Sequence, residues 1–142
     1  MKNRRVRRSG FTLMEVLLVM AILVVMASMV TLAFLTIQRN AQADAAFTQA
    51  SLLSSECKRF KMNTGNFPQK LEDLIVAPQG MTPRKWKGPY LDSDTVPMDP
   101  WGNAYEYVPP TNQGNVERVV VLSYGPDGQK GTDDDINSSE KN

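Results

Sequence analysis

Glu15 is the only charged side chain between Ser9 and Gln38, and it stands five residues after Gly10, at the head of an uncharged apolar run. A carboxylate at membrane depth costs about 2–3 kcal/mol or more, so it requires a partner or a task. The partner that fits is a positive charge on a second copy of the chain: the amine of Phe11, freed by a cut after Gly10. A second set of candidates lies near the C-terminus. Asp127, Asp133, Asp134 and Asp135 alternate with Gly128 and Gly131 and follow Gly125. Four carboxylates on a glycine-rich loop suit one Ca2+, which takes six to eight oxygens in flexible geometry. The segment is not an EF-hand, because Gln129, Gly131 and Ser138 stand where loop ligands 3, 5 and 12 belong. A solvated acidic loop accounts for the same residues, and spacing alone leaves both readings open.

The element that must position Glu15 is the run 16–37, interrupted only by Ser28, Thr31 and Thr36. At ~1.5 Å per residue a helix of that length covers roughly 33 Å, enough for a bilayer core. A secretory signal peptide has a shorter apolar stretch of about 7–15 residues and a small-residue cleavage site after it; no good site of that kind follows here. Lys2, Arg4, Arg5, Arg7 and Arg8 precede the run, and positive-inside bias keeps that end cytoplasmic. A plain anchor explains length and orientation but neither Gly10 nor Glu15.

Composition narrows the rest. The 142 residues allow one small domain beyond the apolar helix. The formal charge is +1, but a cut after Gly10 removes five of the 16 basic side chains and leaves 11 against 15 acidic ones, a balance of −4. No basic patch is left for nucleic acid. The absence of His removes the commonest general base. Cys57 is alone, so no intrachain disulfide forms, and its place on a helix stripe reads as a small buried apolar residue.

Neither Gly nor Pro occurs between Phe11 and Thr64, which predicts one helix of about 50 residues. Ala43, Ala46, Ala50, Leu53, Cys57 and Phe60 recur at spacings of 3 and 4, a narrow apolar stripe. Gly65 suits a left-handed helix cap. Leu71, Leu74 and Ile75 predict a short helix. Turns follow, with Trp86 and Tyr90 as anchors. Strands are expected from Tyr105 to Val108 and over 116–124, joined as an antiparallel hairpin through 109–114, with a third from Tyr90 and Leu91. Pro97-Met98-Asp99-Pro100-Trp101-Gly102-Asn103 reads as a rigid turn in which Trp101 supplies the buried face. The fold class is α+β: a long helix against a small antiparallel sheet.

Arg8-Ser9-Gly10/Phe11-Thr12-Leu13-Met14-Glu15-Val16 resembles the type IV prepilin cleavage signature. That resemblance implies a membrane-embedded peptidase cutting between Gly10 and Phe11, N-methylation of Phe11, and Glu15 as the assembly residue. Asp99-Pro100-Trp101-Gly102-Asn103-Ala104-Tyr105-Glu106-Tyr107 resembles a segment of the major pseudopilins of type II secretion systems. The family carries a calcium site in the loop that Ser123-Tyr124-Gly125-Pro126-Asp127-Gly128 and Asp135-Ile136 match. By that likeness Asp127, Asp134 and Asp135, with the Tyr124 backbone carbonyl, are the expected ligands. The implied organisation is a leader over 1–10, a transmembrane and assembly helix over 11–38, and a periplasmic pilin-like domain over 39–142 whose calcium loop is 122–136. The implied function is that of a non-enzymatic fibre subunit, held in the inner membrane and then polymerised to drive protein export across the outer membrane. Expected partners are further copies of the chain, a prepilin peptidase, minor pseudopilins, an inner-membrane assembly platform and, before assembly, lipid. A type IV pilin or minor pilin shares the N-terminus, and a single-pass sensor or binding domain on a plain anchor is the reading from another class. The chain departs from the family where Leu32 and Val24 replace a usual Pro and Gly, and where no Trp follows the loop. The C-terminus is expected to fray.

Overall fold

The computed structural model describes residues 10–110 and 118–139, with Leu32 described by its backbone alone. The leader before Gly10, the linker 111–117 with the predicted start of the second strand, and the C-terminal residues 140–142 lie outside the described residues. Helix α1 runs Leu13–Thr64, 52 residues, passing through both Val24 and Leu32. It ends at Gly65, whose amide donates to the Lys61 carbonyl at 2.7 Å with φ at 91°. The chain divides into two units, Met1–Arg39 and Asn40–Asn142.

In the first unit the helix is apolar all round and exposed all round. Leu18, Leu23, Val24, Met29 and Phe34 each expose more than half of their surface, the pattern of a segment meant for lipid or for other helices. The hydroxyls of Ser28 and Thr31 donate to the carbonyls of Val24 and Ala27, both at 2.9 Å, so neither is left unsatisfied in an apolar setting. This helix is long and apolar enough to cross a membrane.

In the second unit the expected stripe faces the core. Ala46, Ala50, Leu53, Cys57 and Phe60 are buried, and Ala43 is half-buried. Ala50, Leu53, Cys57 and Phe60 pack on Leu71, Leu74, Tyr90, Tyr105, Val119 and Val121. The sheet is antiparallel, ordered β1 (Glu106–Val108), β2 (Val120–Ser123), β3 (Ile136–Asn137). Glu106 faces Leu122 across β1 and β2, and Leu122 faces Asn137 across β2 and β3. Along β2, Val121 and Ser123 are buried while Val120 and Leu122 are half-buried, the period of two that sets which face meets the helix. Side-chain hydroxyls fasten the helix to this layer: Ser54 donates to the Val119 carbonyl at 3.3 Å, and Tyr105 donates to the Ala46 carbonyl at 3.4 Å.

Two expectations are corrected and a third is refined. Tyr90 and Leu91 form no strand. Tyr90 is instead a core ring between Phe60 and Trp86, its amide donating to the Leu74 carbonyl at 2.7 Å. The third strand is Ile136–Asn137. Trp101 is only half-buried; the buried member of its turn is Asp99, 5% exposed. The predicted helix near Leu71 is a single 3-10 turn, Leu71–Leu74, which buries Leu71 and Leu74.

Candidate functional site

At the membrane end, Thr12 precedes the first helical residue and caps it. Its hydroxyl oxygen accepts from the Glu15 amide at 3.2 Å, satisfying one of the orphan donors at the helix start. Glu15 is therefore the third residue of the helix, its side chain exposed beside Phe11, 83% exposed, and Met14, 76% exposed. Gly10 is exposed, and nothing lies within 4 Å of the place its Cβ would occupy. A cut beside it meets no packed neighbour in the described chain. An anionic side chain in the first turn also suits the positive end of the helix dipole.

In the second unit, the loop after β2 bends through Gly125, Gly128 and Gly131, with φ of 65°, 64° and 88°. Gly125 is required for space as well as for conformation, since a Cβ there would lie 2.5 Å from the Asp134 carbonyl oxygen. The three expected carboxylates each accept from a loop amide. Asp127 Oδ1 accepts from Gln129 at 2.8 Å, Asp134 Oδ2 from Asp127 at 3.4 Å, and Asp135 Oδ2 from Gly131 at 2.7 Å. The Asp134 carboxylate thus lies against the Asp127 backbone amide, and its surroundings, the Thr132 side chain foremost, hold it below its usual range. Asp135 Oδ1 is buried and accepts nothing, the one side-chain polar atom so placed among the described residues. Also among those residues, no group of three or more His, Cys, Asp or Glu side chains is already gathered around a common point.

Residues to which the sequence reading gave no side-chain role at this loop frame it. The Tyr124 hydroxyl donates to Glu106 Oε2, and Lys130 from the loop pairs with Glu106 Oε1 at 2.7 Å. Those hydrogen bonds, Lys130 foremost, hold the Glu106 carboxyl below its usual range, while Glu106 raises both Lys130 and Tyr124. On the other side Asn103 Nδ2 donates to the Gly125 carbonyl at 3.1 Å. Asp99 Oδ2 accepts from the buried Ser123 hydroxyl at 2.6 Å. The available signals were Asp99 at the head of a Pro- and Gly-bounded turn, where Asp commonly binds backbone amides, and the Thr12-x-x-Glu15 capping spelling.

A long helix bearing an exposed apolar half, a second half laid on a three-stranded sheet, and a methylation-type N-terminus define the pilin-like class of membrane-anchored fibre subunits. The family described as Type II secretion system (T2SS), protein G matches residues 33–139, and the prokaryotic N-terminal methylation motif matches residues 5–31. The Type II secretion system core protein G of Vibrio cholerae is 33% identical over 134 residues, 92% of this chain and 90% of that protein. That of Aeromonas hydrophila is 34% identical over 135 residues, 92% of this chain and 91% of that protein. The crystal structure of the major pseudopilin from the type 2 secretion system of enterohaemorrhagic Escherichia coli superposes with a TM-score of 0.58 at 26% identity, covering 72% of this chain and 90% of that one. The chain belongs to the type II secretion system protein G family. Its function is that of a structural, non-catalytic major pseudopilin subunit of the secretion pseudopilus, and its topology is single-pass in the inner membrane with the folded domain periplasmic.

Proposed function

We propose that this subunit is made as a precursor, cut by a prepilin peptidase between Gly10 and Phe11 and methylated at Phe11. Glu15 of each copy then neutralises the Phe11 amine of a neighbour as the helices leave lipid for the fibre. The observation that carries the reading is Glu15 in the first turn of a helix whose apolar side chains, through the first unit, are exposed on every side. Apolar packing alone would let such helices slide past one another. A charge pair in a low-dielectric setting favours one axial register, because every other register leaves two ions unpaired. The domain boundaries follow: leader 1–10, assembly helix 11–38, periplasmic domain 39–142. Partners are further copies of the chain, minor pseudopilins and the inner-membrane assembly platform.

Calcium belongs to the same proposal. Asp127, Asp134 and Asp135, with the Tyr124 carbonyl, would hold it in loop 122–136. The unpartnered oxygen of Asp135 and the left-handed glycines support the fit, since a hard cation takes carboxylate and carbonyl oxygens of this kind. The ion would supply positive charge to an acidic loop and so tie it to β2.

The test is the intact mass of protein extracted from membranes of cells that carry a prepilin peptidase. A chain starting at Phe11 and heavier by one methyl group is expected, with Gly10→Asp retained as the full precursor. A wild-type chain that still starts at Met1 would reduce the N-terminus to a plain anchor.

A further inference from the structure

We propose that Asn103 and Asp99 are positioning residues that preform the entry to the acidic loop, Asn103 by holding the Gly125 carbonyl and Asp99 by holding the Ser123 hydroxyl. The Asp99 carboxylate is 5% exposed and accepts three hydrogen bonds from this chain. Oδ1 takes the amides of Trp101, at 3.1 Å, and Asn103, at 2.7 Å; Oδ2 takes the Ser123 hydroxyl at 2.6 Å. A carboxylate is seldom so buried unless its lone pairs are taken, and here each bond fixes part of a turn or of the loop. Ser123 is itself fully buried, and its oxygen accepts the Gly125 amide at 3.2 Å. Asn103 completes the frame: its amide nitrogen reaches the Gly125 carbonyl at 3.1 Å, and a Cβ on Gly128 would lie 3.4 Å from its side-chain oxygen.

Both backbone polar groups of Gly125 are therefore taken, the amide by Ser123 at the end of β2 and the carbonyl by Asn103 of the turn, neither of them one of the loop's carboxylates. Gly125 in turn lies against Asp134. The connection runs Asp99, Ser123, Gly125, Asp134, with Asn103 closing it from the side. It depends on no ion, so the loop's shape precedes whatever it binds. The turn that begins at Asp99 is in this way part of the loop's support, a role distinct from the packing that its Trp first suggests. For what the loop binds the inference rests on the calcium reading; for its shape it does not.

The test uses the full chain in detergent. Asn103→Asp keeps the side chain's shape and removes the donor to Gly125. Ser123→Ala removes the hydroxyl between Asp99 and Gly125. Thr48→Ala, which deletes an exposed hydroxyl on α1, is the control. With chelator present, amide exchange at Gly125, Asp127, Gln129 and Gly131 should accelerate by about tenfold or more in the first two variants, while the Val119 and Val121 amides stay as protected as in wild type. With calcium, the Kd from titration calorimetry should rise about tenfold, as when a supporting partner of a metal ligand is lost. Unchanged loop exchange in Asn103→Asp would overturn the proposal, and so would acceleration spread equally through the core, which marks plain destabilisation. A wild-type chain that takes up no calcium, with the exchange pattern as expected, would remove the calcium reading and leave the positioning role standing.

Discussion

The ring of Phe60 lies with its centroid 5.5 Å from that of Tyr90, tilted by 56°, and joins the last turns of α1 to the loop that follows the 3-10 turn. Phe60 is 1% exposed and is among the largest fully buried side chains. Phe60→Ala should therefore destabilise the periplasmic domain by about 3–5 kcal/mol. Tyr90→Phe keeps the ring but removes the oxygen that accepts from Asn63 Nδ2 at 3.1 Å and the Lys87 amide at 3.3 Å; it should cost about 1 kcal/mol. Urea unfolding of a soluble fragment from Ala41 onward measures both, and equal losses would show that the ring contact contributes nothing of its own.

The same fragment should gain stability from calcium. A site present only in the native state stabilises by RT ln(1 + [L]/Kd), about 2.7 kcal/mol at a hundredfold excess over Kd. For a domain of this size that raises Tm by several degrees over the value in chelator. Asp127→Ala should erase the difference, and Glu140→Ala should not. Magnesium should replace calcium poorly, because it demands a tight octahedron. Superimposed melts with calcium and with chelator would return the loop to a solvated acidic segment.

Cys57 is fully buried on the core stripe, and burial pushes its thiol from 9.0 up to about 12. The folded state holds the proton where the unfolded chain has released it. The contribution to stability is thus complete below about pH 9 and is lost as pH rises toward 12. Tyr105, raised from 10.0 to about 12 by its own burial, acts in the same direction over the upper part of that range. Native protein at pH 8 should resist iodoacetamide at Cys57 and be alkylated only after unfolding. Prompt alkylation of the folded chain would contradict the burial.

Much of this was legible in the residues, for reasons that differ by element. The stripe from Ala46 to Phe60 could be read because helix periodicity is a direct image of which face is buried. The strand at Val120 to Ser123 was announced by consecutive β-branched residues. The strand Ile136–Asn137 carried no such signal. Its place is fixed by Ser138, whose amide donates to the Val121 carbonyl and whose hydroxyl accepts the Val121 amide, both at 3.0 Å. That pairing is set by tertiary contact and leaves no mark in local composition. Trp101 misled because its size suggests a core role, whereas the turn buries the smaller Asp99, whose two oxygens the backbone and Ser123 can satisfy. At the loop, spacing marked the acidic residues without deciding between an ion and solvent, and it gave no sign that Asn103 and Glu106 reach them, since both lie 20 or more residues before Asp127 and arrive through tertiary pairing.

Co-expression with a type II assembly system, read by counting fibres after shear and by intact mass, tests most directly whether Glu15 is the assembly residue. Glu15→Val should still be cut after Gly10 and remain in the membrane, yet form no fibres, because the Phe11 amine of each incoming copy would meet no carboxylate. Thr12→Val, which removes only the helix cap, should leave assembly largely intact. Fibres from Glu15→Val in wild-type number would contradict the charge-pair mechanism outright.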